Sequence, residues 1–579
     1  MSAFFSLMRT NPLVRAEATG ARGFLAALRS IVGRRHVLTR PGETRRFRTG
    51  YRFGSGAVLA VVRPGTLVQQ WRVLQTCVDA RKVVIMQAAN TGLTGGSTPD
   101  GDDYHGDVVL VNTMRIAGIR LIDGGRQVVC LPGATLHQLE KVLRPLCREP
   151  HSVIGSSCLG ASVAGGVCNN SGGALVRRGP AFTQLALFAQ VGSDGQLRLV
   201  NHLGIALGVT PEEILNRLDH WDFGEGDIER DCGWASDQEY IEHIRKINAD
   251  TPARFNADPR RLYEASGCAG KLAVFAARLD TFPAGEKTSV FYIGTNKASE
   301  LTQIRRHILR EFEQLPNSAE YVHRGAFDIA ERYGKDTFLL IRWLGTERLP
   351  TFFALRSRLD EWSRFSFVPA HLSDRVLQFL SRLFPRHLPK RMTDFRDRYE
   401  HHLLLKVPGD GIEEARAFLK QFFNGVEGAF FECTDQEGEA AFLHRFAVAG
   451  AAVRYRAVHQ GEVEDIIALD IALRRNDQHW FETLPQDLDS AFVDKLYYGH
   501  FLCHVLHQDY IVRKGHDCLA LEHRMWALLD ERKAEYPAEH NVGHLYPAKP
   551  AMREFFRALD PCNVFNPGIG QTSKCSHWR

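Results

Sequence analysis

Gln87-Ala-Ala-Asn-Thr-Gly-Leu-Thr-Gly-Gly-Ser97 follows directly on Lys82-Val-Val-Ile-Met86, an apolar run that reads as a buried strand. Eleven residues with three glycines and almost no bulk cannot build a core. They can bend the backbone sharply and bring several N–H groups onto an anion. Taken alone, the stretch is either such a cradle or an ordinary connection. A second small-residue run, Gly155-Ser-Ser-Cys-Leu-Gly-Ala-Ser-Val-Ala-Gly-Gly-Val-Cys-Asn-Asn-Ser-Gly-Gly173, shifts the balance toward one extended ligand carrying a pyrophosphate.

Upstream, Gly20 to Thr39 has the spacing of an amphipathic helix, with Phe24, Leu25, Leu28, Ile31 and Val32 on one side. Ala57 to Val62 reads as a strand and Leu67 to Ala80 as a helix. The opening loop therefore stands at the carboxyl end of a strand, where α/β folds bind ligands. Downstream, strands are expected at Asp107–Val111 and Gln127–Leu131, and a helix at Thr135–Leu143. A hairpin is expected around Ser193-Asp-Gly195, then a polar segment from Asp219 to Asp250. Ser266 to Ala277 reads as glycine followed by strand, and a different region begins near Ser289.

At 579 residues the chain exceeds a single core and divides into domains. Its 44% hydrophobic and 24% charged residues are ordinary for a globular protein. A net charge of +5 is too small for wholesale nucleic-acid binding unless it is concentrated. Twelve cysteines without a CxxC pair suit reduced thiols better than a disulfide framework. The first ten residues lack a signal-peptide core, and no run reaches the roughly 20 apolar residues of a spanning helix.

The charge is in fact concentrated. Residues 341–400 hold twelve Lys/Arg against seven Asp/Glu, an excess equal to that of the whole chain. Trp343, Phe352, Phe353, Trp362, Phe365, Phe367, Phe379, Phe384 and Phe395 are interleaved with them. This chemistry suits an anionic lipid surface or a solvated basic face over a normal core. Single-stranded nucleic acid uses similar groups, but no RNA- or DNA-binding motif accompanies them.

The last third carries a candidate ligand set. Tyr498-Gly-His500 is followed by His507, and further on stands Glu535-Tyr-Pro-Ala-Glu-His-Asn-Val-Gly-His544. Strict alternation would place residues 500 and 504 on one strand face and 507 on the other, so a bend or bulge is needed to unite His500 and His507. Two imidazoles and a carboxylate suit a divalent first-row metal with open positions.

The opening loop, the Gly160–Gly173 cluster and the closing Asn563-Val-Phe-Asn-Pro-Gly-Ile-Gly570 resemble the FAD-binding family of p-cresol methylhydroxylase and vanillyl-alcohol oxidase. Arg148-Glu-Pro-His-Ser-Val-Ile-Gly-Ser-Ser-Cys158, His401-His-Leu-Leu-Leu-Lys406 and Glu539-His-Asn-Val-Gly-His-Leu-Tyr546 extend the likeness to its respiratory, membrane-attached members over nearly the whole chain. The resemblance implies an α+β protein: a two-subdomain FAD-binding domain, an α+β cap and a mainly helical, basic membrane-binding insert. The implied division is 1–280 and 526–579 for the FAD domain, 281–322 and 400–525 for the cap, and 323–399 for the insert.

The same resemblance places non-covalent FAD against Ala88, Ala89, Asn90, Thr91, Gly92, Gly96, Ser97, Gly155, Ser162, Gly172 and Val274. It assigns His500, His507 and Glu539 to a zinc-like metal and His540 to the catalytic base. One departure is plain: the usual Gly-Asp-Gly-Asn between the paired histidines is here Cys503-His-Val-Leu506, although the spacing of seven survives. The implied activity is oxidation of D-lactate to pyruvate, with hydride passing to FAD and electrons to a membrane quinone. The implied location is peripheral, on the cytoplasmic face of a bacterial inner membrane, with anionic lipid as partner. Another 2-hydroxy acid, D-2-hydroxyglutarate or glycolate, is the alternative substrate. No GxGxxG fingerprint follows a strand, which disfavours NAD.

Overall fold

A computed structural model describes residues 20–151, 160–285, 287–344, 372–381 and 386–579. Gly155 and most of the aromatic residues of the basic stretch, from Phe352 to Phe367 and Phe384, lie outside the described residues.

The first sheet contains β1 (Val37–Leu38), β2 (Ala60–Val62), β3 (Val83–Gln87) and β4 (Val108–Asn112), in the order β1-β2-β4-β3. β2, β4 and β3 run parallel, and β2 and β4 are buried throughout, as their unbroken Val/Leu runs require. The helix Leu67–Asp79 makes the crossover from β2 to β3; the Thr66 side chain caps it by accepting from the Gln69 amide at 3.1 Å. The amphipathic stretch at the start forms the helix Ala21–Val32, its Phe24, Leu28 and Val32 buried.

The second sheet is antiparallel. It contains β5 (Ile119–Ile122), β6 (Gln127–Cys130), β8 (Ala186–Val191), β9 (Leu197–Asn201) and β10 (Ala273–Asp280), ordered β5-β6-β10-β8-β9. The short β7 (Arg148–Glu149) pairs with β11 (Phe282–Pro283), where the chain leaves this half of the molecule. The helix Leu136–Leu143 opens on a Thr135/Gln138 capping box.

The third sheet has seven antiparallel strands. These are β12 (Thr288–Thr295), β13 (Ser318–His323), β14 (His401–Pro408), β15 (Ala429–Glu432), β16 (Val463–Ala472), β17 (Phe492–His500) and β18 (Val505–Arg513). Their order is β15-β12-β14-β13-β17-β18-β16. The basic segment is inserted between direct neighbours: His323 ends β13, His401 begins β14, and the two are paired in register. The chain thus leaves the sheet and returns at one point. Within this excursion the helices Arg324–Tyr333 and Lys335–Leu344 pack on the long helix Asp435–Val458, burying Phe327, Ala330, Tyr333 and Phe338 with Val448 and Ala451.

Near its end the chain comes back to the first sheet. The Val84 amide donates to the Val564 carbonyl at 3.0 Å and the Asn566 amide to the Val84 carbonyl at 2.8 Å. Among the described residues no helix is long and apolar enough to cross a membrane.

Candidate active site

The opening loop has the form of an anion cradle. Among the described residues no backbone N–H from Ala88 to Ser97 donates to another protein group, and a Cβ on exposed Gly92 would meet nothing within 4 Å. The loop holds its shape through side chains instead. Gln87 Nε2 donates to the Phe47 and Ser97 carbonyls at 2.8 Å each, Asn90 Nδ2 to Thr49 O at 3.0 Å, and Asn112 Nδ2 to Ala88 O at 2.9 Å. Asn90 sits at φ 55° and Gly95 at φ 74°, left-handed conformations that turn consecutive amides outward.

The two glycine-rich segments and the Glu539–His544 segment share one site. Thr94 Oγ1 donates to Asn541 O at 2.7 Å, the His544 amide donates to Thr94 O at 2.9 Å, and a Cβ on Gly96 would collide with the Asn541 amide. A Cβ on Gly172 would lie 2.6 Å from Glu539 Oε1. Ser162 caps the short helix Val163–Cys168, its Oγ accepting from the Gly165 amide at 3.1 Å. Val274 is buried in β10, and its carbonyl accepts from Gln70 Nε2 at 3.2 Å.

The bend uniting His500 and His507 is a hairpin turn over residues 501–504. His500 closes β17, Val505 opposite it opens β18, and Tyr498 faces His507. His500 and His507 are therefore diagonal neighbours on one sheet face, with ring centroids 5.3 Å apart. His504 turns the other way: fully buried, it packs edge-on against Trp480 and bonds the Arg474 carbonyl at 3.2 Å.

Carboxylates from the flanking strands orient these rings. Glu320 on β13 pairs in register with His500, and its Oε1 lies 2.6 Å from His500 Nδ1. Asp470 on β16 is the register partner of His507; its Oδ1 is 3.4 Å from His507 Nδ1 and its Oδ2 3.4 Å from His540 Nδ1. The same Oδ2 accepts the backbone amides of Glu539 at 2.7 Å and His540 at 2.8 Å. Glu539 Oε2 approaches His500 Nε2 at 3.1 Å while Oε1 pairs with the buried Arg254. Arg445 Nε lies 3.0 Å from the other oxygen of Glu320, and Tyr498 OH donates to Asp509 at 2.9 Å.

The charges follow from this wiring. Burial alone would strip the proton from His500, but Glu320 and Glu539, one on each ring nitrogen, outweigh it and push His500 up to about 10. Burial likewise opposes ionisation of Glu539, yet Arg254 and His500 hold it well below the usual carboxylate range. Asp470, also buried, stays ionised under the pull of His540 and His507. Burial lowers His507 despite Asp470, so it remains a neutral imidazole.

These residues fit a divalent metal. One ligand atom each from His500, His507 and Glu539 lie within 4.8 Å of one another. Each histidine already has its Nδ1 against a carboxylate, and His500 Nε2 meets Glu539, so an ion there would take the place of the proton between them. The proton that His500 shares between two carboxylates marks a place where a cation is favoured. The cradle at Ala88–Ser97 fits a pyrophosphate by the same kind of test.

Sequence reasoning missed Glu320, Asp470 and Arg254. For the first two a signal existed: each is the one carboxylate within an apolar run, Ala319-Glu320-Tyr321-Val322 and Ile466-Ile467-Ala468-Leu469-Asp470-Ile471. Arg254 stands in an irregular segment without any such pattern.

Comparison with known proteins gives the family. Residues 58–200 match the model of an FAD binding domain, and residues 290–578 that of D-lactate dehydrogenase, membrane binding. The quinone-dependent D-lactate dehydrogenase of Haemophilus influenzae is 59% identical over 96% of this chain and 99% of its own. Its Escherichia coli K12 namesake is 58% identical over 97% and 98%.

The chain belongs to the quinone-dependent D-lactate dehydrogenase family.

It is an FAD protein with a membrane-binding domain. In fold it is similar to p-cresol methylhydroxylase (TM-score 0.55, 11% identity, 96% of this chain and 98% of that one). It is also similar to alkyldihydroxyacetonephosphate synthase (TM-score 0.54, 12% identity, 94% and 84%). The fold class is thus the expected one: a two-subdomain FAD-binding unit, an α+β cap and a basic insert.

Proposed function

We propose that this protein oxidises D-lactate to pyruvate at the junction of the opening loop and the Glu539–His540 segment. The observation that carries the reading is Asp470, which gathers His540, His507 and two backbone amides onto one buried carboxylate. His540 is the base. Its ring is the more exposed partner of Asp470, and with Nδ1 against that carboxylate its Nε2 would take the 2-hydroxyl proton. Asp470 holds the ring in orientation and stabilises the imidazolium.

Bound FAD supplies the acceptor for the C2 hydride and the exit for its two electrons. Ala88, Ala89, Asn90, Thr91, Gly92, Gly96 and Ser97 would hold its pyrophosphate, and Gly155, Ser162, Gly172 and Val274 would contact the rest of the cofactor. His500, His507 and Glu539 would hold a zinc-like ion, whose chemistry would be that of a Lewis acid toward the 2-hydroxy acid. Glu320 and Arg254 keep His500 and Glu539 in place for it. Residues 1–280 and 526–579 form the FAD domain, 281–322 and 400–525 the cap, and 323–399 the insert.

Electrons leave to a membrane quinone, with no part for NAD or nucleic acid. The basic, aromatic insert rests on anionic lipid at the cytoplasmic face of the membrane. D-lactate:quinone reductase activity of the purified protein, with and without chelator, tests the reading. D-lactate is expected to exceed D-2-hydroxyglutarate and glycolate, without added NAD; preference for either rival overturns the assignment. Co-sedimentation should favour anionic over neutral vesicles, and equal partitioning would remove the anionic-lipid partner.

A further inference from the structure

Beside the active centre stands a cation that no protein group answers. Arg52 is exposed and makes no hydrogen bond or ion pair among the described residues. It lies at the tip of a tight turn whose base is tied to the glycine cradle. The Gly50 amide donates to Gly54 O at 2.8 Å, Gly54 takes a left-handed φ of 83°, and Thr49 pairs with Ser55. The Thr49 carbonyl accepts from Asn90, and a Cβ on Gly95 would stand 2.8 Å from Phe53 O. The next residue, Gly96, abuts Asn541, which follows His540 in the chain. The turn and the segment of the base thus flank two consecutive glycines.

The charge of Arg52 reaches Tyr498 on β17, Asp509 on β18, Tyr546, and Glu522 on the helix Cys518–Glu531. Two of these belong to the face of the active centre. Tyr498 is the register partner of His507, with ring centroids 5.5 Å apart, and Asp509 is the next residue after His507 on that face. Asp509 also feels the charges of His507 and His540. The guanidinium and the imidazole of the base therefore stand about one carboxylate.

Neither nearby acid engages the cation. Asp509 accepts from Tyr498 OH at 2.9 Å. Burial pushes Glu522 up to about 7, so near neutral pH it is only partly ionised. The other arginines of the site are already matched, Arg254 with Glu539 and Arg445 with Glu320. A lone surface arginine is ordinary; one held by its turn between the cradle and the base is placed to meet an anion.

We propose that Arg52 binds the carboxylate of the 2-hydroxy acid and holds it while His540 takes the 2-hydroxyl proton. The inference rests on the D-lactate reading above and gives the charged end of that substrate its partner. D-lactate carries its carboxylate on the carbon next to C2, so the group that receives it must stand close to the base. A guanidinium offers paired N–H donors that match the two oxygens of a carboxylate. Arg52 comes from the turn beside the cradle and Asp470, which orients the base, from the sheet, so bound substrate joins the two.

The test uses the full-length holoprotein with D-lactate, pyruvate as product inhibitor, and ferricyanide as acceptor. For Arg52→Ala the KM for D-lactate and the inhibition constant of pyruvate should both rise about 10- to 100-fold, the loss of one charged bidentate contact. Bound flavin should be unchanged, and kcat should fall far less than kcat/KM. Arg52→Lys should recover part of the loss, and guanidinium ion added to Arg52→Ala should lower KM again.

A wild-type KM in Arg52→Ala overturns the proposal. So does a fall in kcat at unchanged KM, which would leave the turn a structural part only. Loss of flavin with a normal KM in the molecules still loaded also overturns it, and would make the cofactor's phosphates the ligand of Arg52. Failure of D-lactate to reduce the wild-type flavin overturns the lactate reading instead, and is seen without any variant.

Discussion

Two sets of histidines on or beside the seven-stranded sheet are treated in opposite ways. His500, His507 and His540 each have a carboxylate on Nδ1: Glu320 for the first, Asp470 for the other two. His402 and His444, reached across Val322 and Phe327, have none, and burial drives both down to about 3. The paired rings have fixed orientation, and His500 keeps its proton. The unpaired rings are neutral and buried. Pairing thus separates imidazoles with a fixed ring orientation beside carboxylates from imidazoles buried among apolar side chains.

The largest break in that contrast is His540→Ala. Turnover with D-lactate should fall by about 10³-fold or more while flavin absorbance is retained; near-normal turnover would remove His540 as base. Asp470→Asn keeps shape but removes the charge behind two rings, and a loss of about 10- to 100-fold in kcat is expected. Removing the ion by chelation, or one ligand by His500→Ala, should cost a similar factor. If neither does so, no metal takes part.

Gly172→Ala removes no group with a chemical role, but its Cβ would stand 2.6 Å from Glu539 Oε1. A shift of that carboxylate by a fraction of an ångström should lower kcat by up to about 10²-fold without loss of fold. Activity at the wild-type level would show that Glu539 needs no fixed position.

The smallest effect belongs to the unpaired set and appears in stability. Above the ordinary histidine value of 6.5, His402 and His444 are neutral in both folded and unfolded chains. Below it the unfolded chain takes up protons that the folded one refuses until about pH 3. Stability is therefore lost as pH falls from 6.5 toward 3, at about 1.4 kcal/mol per pH unit for each ring. His444→Leu should reduce the drop in melting temperature between pH 7 and pH 5. An unchanged drop would mean that the ring is protonated in the fold.

The opening loop was legible because its composition leaves it little else to be. Small residues after a buried strand can only expose backbone, and the structure finds its amides unengaged from Ala88 to Ser97. Most strand and helix expectations of the first 200 residues fall on observed elements within a few positions, since local patterns of period two and 3.6 need no distant partner; the helix expected over Gly20–Thr39 instead stops at Val32, where Gly33 takes a left-handed φ of 84° and Val37–Leu38 joins the first sheet. The His500/His507 pair was harder. Alternation along one strand predicts opposite faces, and only the chain reversal at 501–504 reconciles them.

What the sequence determined by itself is everything written into consecutive residues: the glycine cradle, the paired histidines with their spacing of seven, and the concentration of charge between residues 341 and 400. What the tertiary structure alone decided is which distant groups answer them. Glu320 reaches His500 because β13 lies beside β17, and Asp470 reaches His507 because β16 lies beside β18. Gly172 meets Glu539 only because separate segments of chain are packed against each other. Strand order and register are set by the burial of whole faces, a property of the assembled sheet that no short stretch contains.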